Sequence, residues 1–499
     1  MSMKAKNKNK DERMAGILMP VASLPSADGV GSFGGEAYTF VDMLAEMGIR
    51  IWQILPLNPL GYGNSPYQPY SSYAGDELYI DLKLLEKEGY LSADREAYDS
   101  GENHKRIDYE KARAYKTKHF KEAYKEFVKK NGHAASDFEN FKEKEWVYPY
   151  AVFIALKNQN GLRCWNEWPK EQQDWILNHK YDVSHLQEEI QYQMFLQYMF
   201  YKQWMELKEY ANKKNVLIMG DVPIYVGIDS LDVWSCREDF LLGADGKPSF
   251  VAGVPPDYFS ATGQRWGNPI YNWENIQKKN FTFWVNRLRY SSELYDIIRI
   301  DHFRAFDTYW KIPASCDTAI EGEWVEAPGY ALFDELYKQM PDIRIVAEDL
   351  GDLRPEVLEL RDHYNLLGMN IAEFSIPFTD VVKEHQLIYT GTHDNQTVKG
   401  WYDALDKATK IKVRKRLAKY GNKWESYIKK MIHFVYESRA CMAIIPLADI
   451  LGLDDEARLN TPGTVGSPNW EWKLEDWTAL EKVKSDIGTL VIKSKRHLG

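Results

Sequence analysis

The stretch YDIIRIDHF (295–303) indicates how this chain folds. An uninterrupted apolar run that ends in charged residues is typical of a parallel strand that is buried on both faces. Seven further runs have the same character: AGILMP (15–20), IRIWQILPL (49–57), VLIMGDVP (216–223), IRIVAEDL (343–350), GMNIAEF (368–374), LIYTGTHD (387–394) and ACMAIIPL (440–447). The sequence therefore predicts eight buried parallel strands.

Helix-like segments separate most of these runs. The segment GGEAYTFVDMLAEMG (34–48) has apolar residues at helical spacing and a terminal glycine. In RPEVLELRDHYN (354–365), Pro355 is placed for a first helical turn. Strands that alternate with helices form an α/β fold, and eight such units close into a (β/α)8 TIM barrel. We therefore expect residues 1–499 to form a single catalytic barrel domain.

Two intervals between the predicted strands are longer than one helix requires. Residues 58–215 contain charged amphipathic stretches such as DYEKARAYKTKHFKEAYKEFVKK (108–130), which predict a mainly helical insertion after the second strand. Residues 224–294 are rich in Gly, Pro, Asp and Trp and predict a loop-rich insertion over the active site, after the third strand. The residues after Leu447 suffice for a last loop and helix, so we expect no C-terminal β domain.

The composition excludes several classes of protein. With 499 residues, a formal net charge of −10 and 44% hydrophobic residues, the chain is too acidic for a general nucleic-acid binder and too apolar for a disordered protein. No run reaches the ~18 apolar residues of a membrane span, and the basic N-terminus lacks the long apolar segment of a signal peptide. The four cysteines are far apart and form no CxxC or Cys/His cluster. We expect a cytoplasmic protein that binds neither nucleic acid nor membranes; its oligomeric state is not indicated.

Acidic residues stand at the carboxyl ends of three predicted strands: Asp301, Glu348 and Asp394. This rim of a TIM barrel carries the active site, and glycosidic bond cleavage requires one ionised and one protonated carboxyl group. Because alternate residues of a strand share a face, we expect Arg299 to lie beside Asp301 and keep this nucleophile ionised. Two nearby negative charges are expected to raise the pKa of Glu348, as suits a proton donor. Asp394 is then available to bind sugar hydroxyls.

Other interpretations of these acids stay open. Any one of them alone is as easily a solvated or ion-paired side chain. Asp301–His302 and His393–Asp394 also supply the ligand types of a metal-dependent hydrolase, although no HxH or HExxH spacing is present.

Longer motifs resemble one family of enzymes. RIDHFRAFDTYW (299–310), VAEDLG (346–351) and GTHDN (391–395) resemble the barrel signatures of the amylase clan. Four further stretches narrow the resemblance to the amylomaltases, the 4-α-glucanotransferases of glycoside hydrolase family 77: GYGNSPYQPYSSYAG (61–75), GDVPIYVGIDSLDVW (220–234), VAGVPPDYFSATGQRWGNPIYNW (251–273) and ARLNTPGTVGSPNWEW (457–472).

The resemblance implies a reaction in starch, glycogen and maltodextrin metabolism. A retaining enzyme of this kind moves α-1,4-glucan segments from a maltodextrin donor to the 4-hydroxyl of an acceptor glucan or glucose through a covalent glycosyl-Asp intermediate. Its partners are α-1,4-glucans, maltooligosaccharides and glucose, and it needs no cofactor or metal. An α-glucan hydrolase would use the same acids, and a non-catalytic glucan-binding protein would share the aromatic grooves but would not need the acids.

The resemblance also implies a role for each matched position. Asp301 is the nucleophile, Glu348 the acid/base and Asp394 the transition-state stabiliser. The positions implied to bind sugar in the groove are Arg299, His393, Tyr67, Asp257, Gln264, Trp266, Ser65, His302, Asn395 and Asn469. A second glucan site outside the active site is implied at Tyr62 and Tyr109, where core or surface packing is a comparably ordinary role.

The chain departs from the family pattern at a few positions. The departures are Ala305 and Asp307, where DHFRGFE is usual; Asp76 and Glu77, where AGNP is usual; and Glu373 and Ala448, where Gln is frequent. None of them replaces a catalytic acid, so they concern loop shape and subsite preference.

Overall fold

The computed structural model describes residues 13–101, 104–130, 135–256, 260–423 and 425–497. Asp257, a predicted groove residue, lies outside these ranges. The side chain of Tyr62, predicted to contact a second glucan, is likewise outside the described part of the chain.

Twelve strands occur in the described residues: β1 (Met14–Leu18), β2 (Ile51–Gln53), β3 (Leu217–Val222), β4 (Phe250–Val254), β5 (Gln264–Pro269), β6 (Ile297–Ile300), β7 (Thr308–Pro313), β8 (Glu323–Glu326), β9 (Ile345–Ala347), β10 (Gly368–Ile371), β11 (Gln386–Tyr389) and β12 (Met442–Pro446). Eight of them form one parallel sheet in the order β10-β11-β12-β1-β2-β3-β6-β9. Each of these eight overlaps one predicted apolar run, so the prediction of eight buried parallel strands is confirmed.

The two ends of this sheet meet and close a barrel. Val346 in β9 forms a parallel bridge with Leu367, which directly precedes β10. The amide of Ala347 donates to the Leu367 carbonyl over 2.8 Å. The (β/α)8 barrel predicted from the sequence is therefore the fold that the structure shows.

The α-helices of the described residues are α1 (Gly35–Glu46), α2 (Leu82–Lys87), α3 (Tyr109–Lys129), α4 (Ser136–Lys142), α5 (Val147–Gln159), α6 (Lys170–Gln173), α7 (Trp175–Asn178), α8 (Gln187–Lys213), α9 (Leu231–Ser235), α10 (Trp273–Lys278), α11 (Thr282–Leu294), α12 (Gly329–Gln339), α13 (Pro355–His363), α14 (Ala372–Ser375), α15 (Val398–Ala404), α16 (Lys407–Leu417), α17 (Tyr427–Glu437), α18 (Leu447–Ile450) and α19 (Thr478–Lys493). Helices α1 and α13 lie where the spacing of apolar residues predicts them, and Pro355 occupies the first turn of α13. No helix in the described ranges combines the length and apolar character needed to cross a bilayer.

The two long intervals differ in their secondary structure. Helices α2 to α8 lie between β2 and β3, whereas α9 to α11 together with β4 and β5 lie between β3 and β6. In the part of the chain that the structure describes, no strand follows β12. The division into one catalytic barrel domain with insertions at 58–215 and 224–294 is retained as a proposal.

A second, smaller sheet has no counterpart in the sequence prediction. It is antiparallel, with four strands in the order β5-β4-β7-β8. Its outer strand β5 carries Gln264 and Trp266, and β7 begins shortly after Asp301. This sheet therefore places predicted groove residues beside the carboxyl end of β6.

A buried arginine lies at the amino-terminal end of the barrel. Arg496 is 0% exposed and donates hydrogen bonds to the carbonyls of Met14, Tyr436, Ser438, Ala440 and Cys441. Because β1 begins at Met14 and β12 at Met442, this side chain ties the C-terminal segment to the start of two neighbouring strands.

Candidate active site

Asp301 and Glu348 follow adjacent strands of the barrel. Asp301 directly follows β6 and Glu348 directly follows β9, and β6 pairs with β9 in parallel. The Glu348 amide donates to the Ile300 carbonyl over 3.0 Å, and its carbonyl accepts from the Phe303 amide over 2.9 Å. The two acids are therefore carried by backbone segments that are hydrogen-bonded to each other at the carboxyl rim.

Asp301 lies at the open end of a buried ion-pair chain. Arg299 Nη1 is 3.0 Å from Asp301 Oδ1 and 2.6 Å from Asp221 Oδ2. The Arg299 and Asp221 side chains are 4% and 0% exposed, whereas that of Asp301 is 30% exposed. Asp301 is thus the member of the chain that a substrate can reach.

The positive charge of Arg299 is shared between two carboxylates. Burial raises the pKa of Asp301 to about 6; Arg299 opposes this rise, in the direction that the sequence predicts, and Asp221 adds to it. Because Arg299 also pairs with Asp221, its charge only partly offsets the desolvation of Asp301.

Glu348 is held by two backbone amides. Its Oε2 accepts from the His302 amide over 2.7 Å, and its Oε1 accepts from the Leu350 amide over 2.9 Å. His302 adopts a left-handed backbone conformation, with φ of 54°. Burial, together with the negative charge of Asp301, raises the pKa of Glu348 to about 7. At a solution pH between these two pKa values, Asp301 is mainly ionised while Glu348 mainly carries its proton.

Asp394 lies on the loop that follows β11. Its Oδ1 accepts from Asn460 Nδ2 over 2.7 Å, and its carbonyl accepts from Arg458 Nη2 over 2.9 Å. Its Oδ2 is 3.4 Å from His393 Nε2, and the side chain is 42% exposed. The carboxylate is therefore fixed in place and still open to a ligand.

Tyr67 connects this loop with the ion-pair chain. Its hydroxyl donates to Asp221 Oδ2 over 2.8 Å and lies 2.9 Å from His393 Nε2. The Tyr67 and His393 rings are stacked, with centroids 5.2 Å apart and planes at 15°. The Trp470 ring lies 5.8 Å from Tyr67 and 6.0 Å from His393. Aromatic side chains thus form one wall of the site.

Gln264, Trp266 and His302 come together near Glu348. The Trp266 indole N–H donates to Gln264 Oε1 over 3.2 Å. The Trp266 and His302 rings pack edge to face, with centroids 4.9 Å apart. Burial lowers the pKa of His302 to about 3, so this imidazole is neutral.

Three predicted groove residues accept hydrogen bonds from backbone amides in the rim loops: Ser65, Asn395 and Asn469. The bonds run from the Tyr67 amide to Ser65 Oγ (3.3 Å), from the Thr392 amide to Asn395 Oδ1 (2.9 Å) and from the Thr461 amide to Asn469 Oδ1 (2.9 Å). These three positions shape the loops that carry the aromatic wall and Asp394.

Tyr109 is the first residue of α3. Its buried side chain donates from the hydroxyl to the Trp470 carbonyl over 2.7 Å. It lines a cleft of about 510 Å³ to which Tyr98 and Lys111 also contribute. The structure therefore places Tyr109 beside an open cleft with its hydroxyl already bonded.

Four residues at the site are absent from the sequence prediction: Asp221, Arg458, Asn460 and Trp470. Asp221 offers one indication in the sequence, because a charged residue inside a buried strand requires a partner, which Arg299 supplies. Arg458 and Asn460 come from an irregular segment after β12, and their position gives no comparable indication.

A metal interpretation has no donor cluster to support it in the described ranges. Within them, no group of three or more His, Cys, Asp or Glu side chains is arranged to hold a metal ion.

Comparison with known sequences identifies relatives over most of the chain. Residues 19–479 match the model of glycoside hydrolase family 77, described as 4-alpha-glucanotransferase. A 4-alpha-glucanotransferase of Thermus thermophilus is 41% identical over 481 residues, which cover 93% of this chain and 95% of that protein. One from Streptococcus pneumoniae serotype 4 is 40% identical over 508 residues, covering 98% of this chain and 99% of that protein.

Solved structures agree with the sequence relatives. An amylomaltase from Streptococcus agalactiae, solved in complex with acarbose, superimposes with a TM-score of 0.92 at 36% identity and covers 98% of this chain and 100% of that chain. An amylomaltase from Corynebacterium glutamicum shares the fold, with a TM-score of 0.79 at 18% identity. The chain therefore belongs to glycoside hydrolase family 77 and has the 4-α-glucanotransferase activity of that family.

Proposed function

We propose that this enzyme transfers α-1,4-glucan segments from a maltodextrin donor to the 4-hydroxyl of an acceptor glucan or glucose, with retention of configuration. The observation that carries the proposal is the pair Asp301 and Glu348 on adjacent strand ends, with pKa values of about 6 and about 7. A retaining mechanism requires one ionised and one protonated carboxyl group on opposite sides of the scissile bond.

In the first step, the Asp301 carboxylate attacks the anomeric carbon of the donor. Glu348 gives its proton to the glycosidic oxygen, the bond from that oxygen to the anomeric carbon breaks, and the leaving chain departs with a free 4-hydroxyl. A covalent ester between the transferred segment and Asp301 remains.

In the second step, the acceptor takes the place of the leaving chain. Its 4-hydroxyl gives a proton to the Glu348 carboxylate, its oxygen attacks the anomeric carbon, and the bond to Asp301 breaks. Two inversions restore the α configuration, and both acids return to their starting protonation states. The chemistry uses only carboxyl groups of this chain and calls for no cofactor.

The aromatic wall and Asp394 are proposed to bind the sugar at the cleavage point. Tyr67 offers a ring for stacking, while His393 and Asp394 offer polar atoms to its hydroxyls. Because positive charge develops on the sugar in the transition state, the half-exposed Asp394 carboxylate stabilises that state more than the ground state.

Gln264 and Trp266 are proposed to favour an acceptor sugar over water. Trp266 packs against His302, whose amide holds the Glu348 carboxyl group, and Gln264 accepts a hydrogen bond from Trp266. An acceptor lying against Trp266 would present its hydroxyl to Glu348 and occupy the space that a hydrolytic water needs.

Incubation with pure maltotriose separates transfer from hydrolysis. Transfer gives glucose and longer oligosaccharides while the total of reducing ends stays constant. A steady increase in reducing ends would instead identify an α-glucan hydrolase. Acarbose, found with the Streptococcus agalactiae amylomaltase, is expected to inhibit the reaction competitively.

Two variants test whether the acids perform the chemistry. Loss of general acid catalysis costs about 10²-fold or more, so Glu348→Gln and Asp301→Asn are both expected to lose nearly all turnover and to keep maltooligosaccharide binding. Unchanged transfer rates in both variants would contradict the site assignment and favour another role for these acids.

The setting of the reaction is also a proposal. All four cysteines of the chain are free thiols, which suits a reducing compartment, and we assign the enzyme to the cytoplasm.

The cleft beside Tyr109 is assigned to a second glucan chain, with Tyr62 on the adjoining loop.

A further inference from the structure

Glu373 is a buried carboxyl group beside the loop that carries His393 and Asp394. It lies in α14, immediately after β10, and its amide donates to the Thr390 carbonyl over 3.1 Å. Its side chain is packed close to the backbone of Gly391. A Cβ atom built on that glycine would lie only 3.1 Å from Glu373 Oε1. The residue is 3% exposed.

A continuous set of hydrogen bonds runs from Glu373 to the backbone of Asp394. Asn395 Nδ2 donates to Glu373 Oε2 over 3.2 Å. Asn395 Oδ1 accepts from both the amide and the hydroxyl of Thr392, each over 2.9 Å. The Thr392 hydroxyl accepts in turn from the Asp394 amide over 3.3 Å. The conformation of the loop thus depends on the hydrogen bonds of Asn395, and the position of the Asn395 side chain depends on its bond to Glu373.

The surroundings of Glu373 favour a neutral acid. Among the described residues, Oε1 of Glu373 has no hydrogen-bond partner. The charged groups that act on it from neighbouring elements are Asp449 in α18 and Asp455, which raise its pKa, and Arg458, which lowers it. Arg458 itself donates hydrogen bonds to the carbonyls of Asp394 and Asn460. A buried carboxylate without its own cation is costly. Burial, with Asp449 adding to it, accordingly holds the pKa of Glu373 well above its ordinary value.

We propose that Glu373 is a positioning residue that fixes Asn395 and thereby the loop presenting His393 and Asp394 to the sugar. The inference rests on the proposed role of Asp394. Glutamine at this position would keep an acceptor for Asn395 and remain neutral, whereas alanine would leave the Asn395 amide unpaired and open a space beside Gly391.

The test measures kcat and KM for maltotriose transfer in four variants: Glu373→Gln, Glu373→Ala, Asn395→Ala and the double variant Glu373→Ala/Asn395→Ala. Glu373→Gln is expected to stay within about threefold of the wild type, because the bond to Asn395 survives. Glu373→Ala is expected to lower kcat about tenfold or more while KM changes less than about threefold, as when a transition-state contact is displaced. Glu373→Ala in an Asn395→Ala background is expected to have little further effect, since two residues that act through one network are not additive.

Three results would overturn the proposal: a wild-type kcat in Glu373→Ala, additive losses in the double variant, or a loss in Glu373→Gln as large as in Glu373→Ala. If Glu373→Ala does not fold, Glu373→Asp takes its place with the same expectations, because the shorter acid withdraws from Asn395. Ser375→Ala is the matched control in α14, since its hydroxyl donates to Asn370 Oδ1, and its kcat is expected to be unchanged.

Asp394→Asn separates this inference from the function on which it rests. If Asp394→Asn abolishes turnover and Glu373→Ala does not, only the role of Glu373 is contradicted. If Asp394→Asn retains wild-type turnover, the proposed role of Asp394 fails first.

Discussion

Arg299 and Asp221 form a buried ion pair in which Nη1 lies 2.6 Å from Oδ2, and the same nitrogen lies 3.0 Å from Asp301. One guanidinium therefore serves two carboxylates, of which only Asp301 is open to a ligand. Asp221 also accepts from the Tyr67 hydroxyl, so it joins the nucleophile to the aromatic wall. The pKa of the nucleophile and the position of that wall consequently depend on a residue that does not touch the substrate.

Asp221→Asn is predicted to shift the acidic limb of the pH–rate profile to lower pH. The negative charge of Asp221 raises the pKa of Asp301, so its removal lowers that pKa and lets Asp301 ionise in more acidic solution. Because a buried ion pair is broken, the free energy of unfolding is expected to fall by about 3 kcal/mol or more. Tyr67→Phe is the control, since it removes a hydrogen bond to Asp221 without changing charge; an unmoved limb in Asp221→Asn would contradict the prediction.

The pH dependence of kcat/KM for maltotriose is predicted to be a narrow bell. Activity rises as pH increases through about 6, where Asp301 loses its proton, and falls above about 7, where Glu348 loses its own. The two apparent pKa values belong to the interacting pair. An α-maltosyl fluoride donor, whose leaving group needs no proton, is expected to lose the alkaline limb; its persistence would argue against Glu348 as the acid.

Glu348→Gln is predicted to stabilise the protein more at pH 8 than at pH 5. The pKa of Glu348 is raised in the folded state above the roughly 4.3 of an unfolded chain. The wild type therefore loses stability as pH rises from that value through about 7. Thermal unfolding at both pH values measures this, with the exposed substitution Glu359→Gln as control. Equal effects at pH 5 and pH 8 would contradict the prediction.

Arg496→Met is predicted to destabilise the barrel without altering the site chemistry. Five carbonyls would lose a buried donor, and an unsatisfied buried acceptor costs about 1–3 kcal/mol. We expect the free energy of unfolding to fall by roughly 3 kcal/mol or more, while the limbs of the pH–rate profile stay in place. Arg439→Met, at a side chain that is 74% exposed, is the matched control, and equal stabilities of the two variants would refute the assignment.

The barrel was predictable because buried parallel strands leave uninterrupted apolar runs. The antiparallel sheet was not, because its edge strands β5 and β8 lack such runs. Strand β5 reads QRWGNP, with glycine and proline inside it, and β8 reads EWVE at a largely exposed edge. Partly exposed short strands of this kind resemble loops in composition.

The candidate site, too, was only partly predictable from the sequence. Asp301 and Glu348 were predictable as rim residues because each directly follows a barrel strand, and their roles stay predictions. The shared charge of Arg299 was not predictable, because it depends on Asp221 in a strand 78 residues away. Asn460 reaches Asp394 from an irregular segment after β12, a contact that only the folded chain produces.

The most direct test of the central claim is the site of covalent attachment during turnover. Glu348→Gln incubated with an α-maltosyl fluoride forms the glycosyl-enzyme without needing an acid, and it lacks the base that would release it. Peptide mass spectrometry after rapid acid quenching is predicted to find the added maltosyl mass on Asp301. Attachment to Asp394 or another carboxylate, or fluoride release with no covalent adduct at any time, would contradict the account.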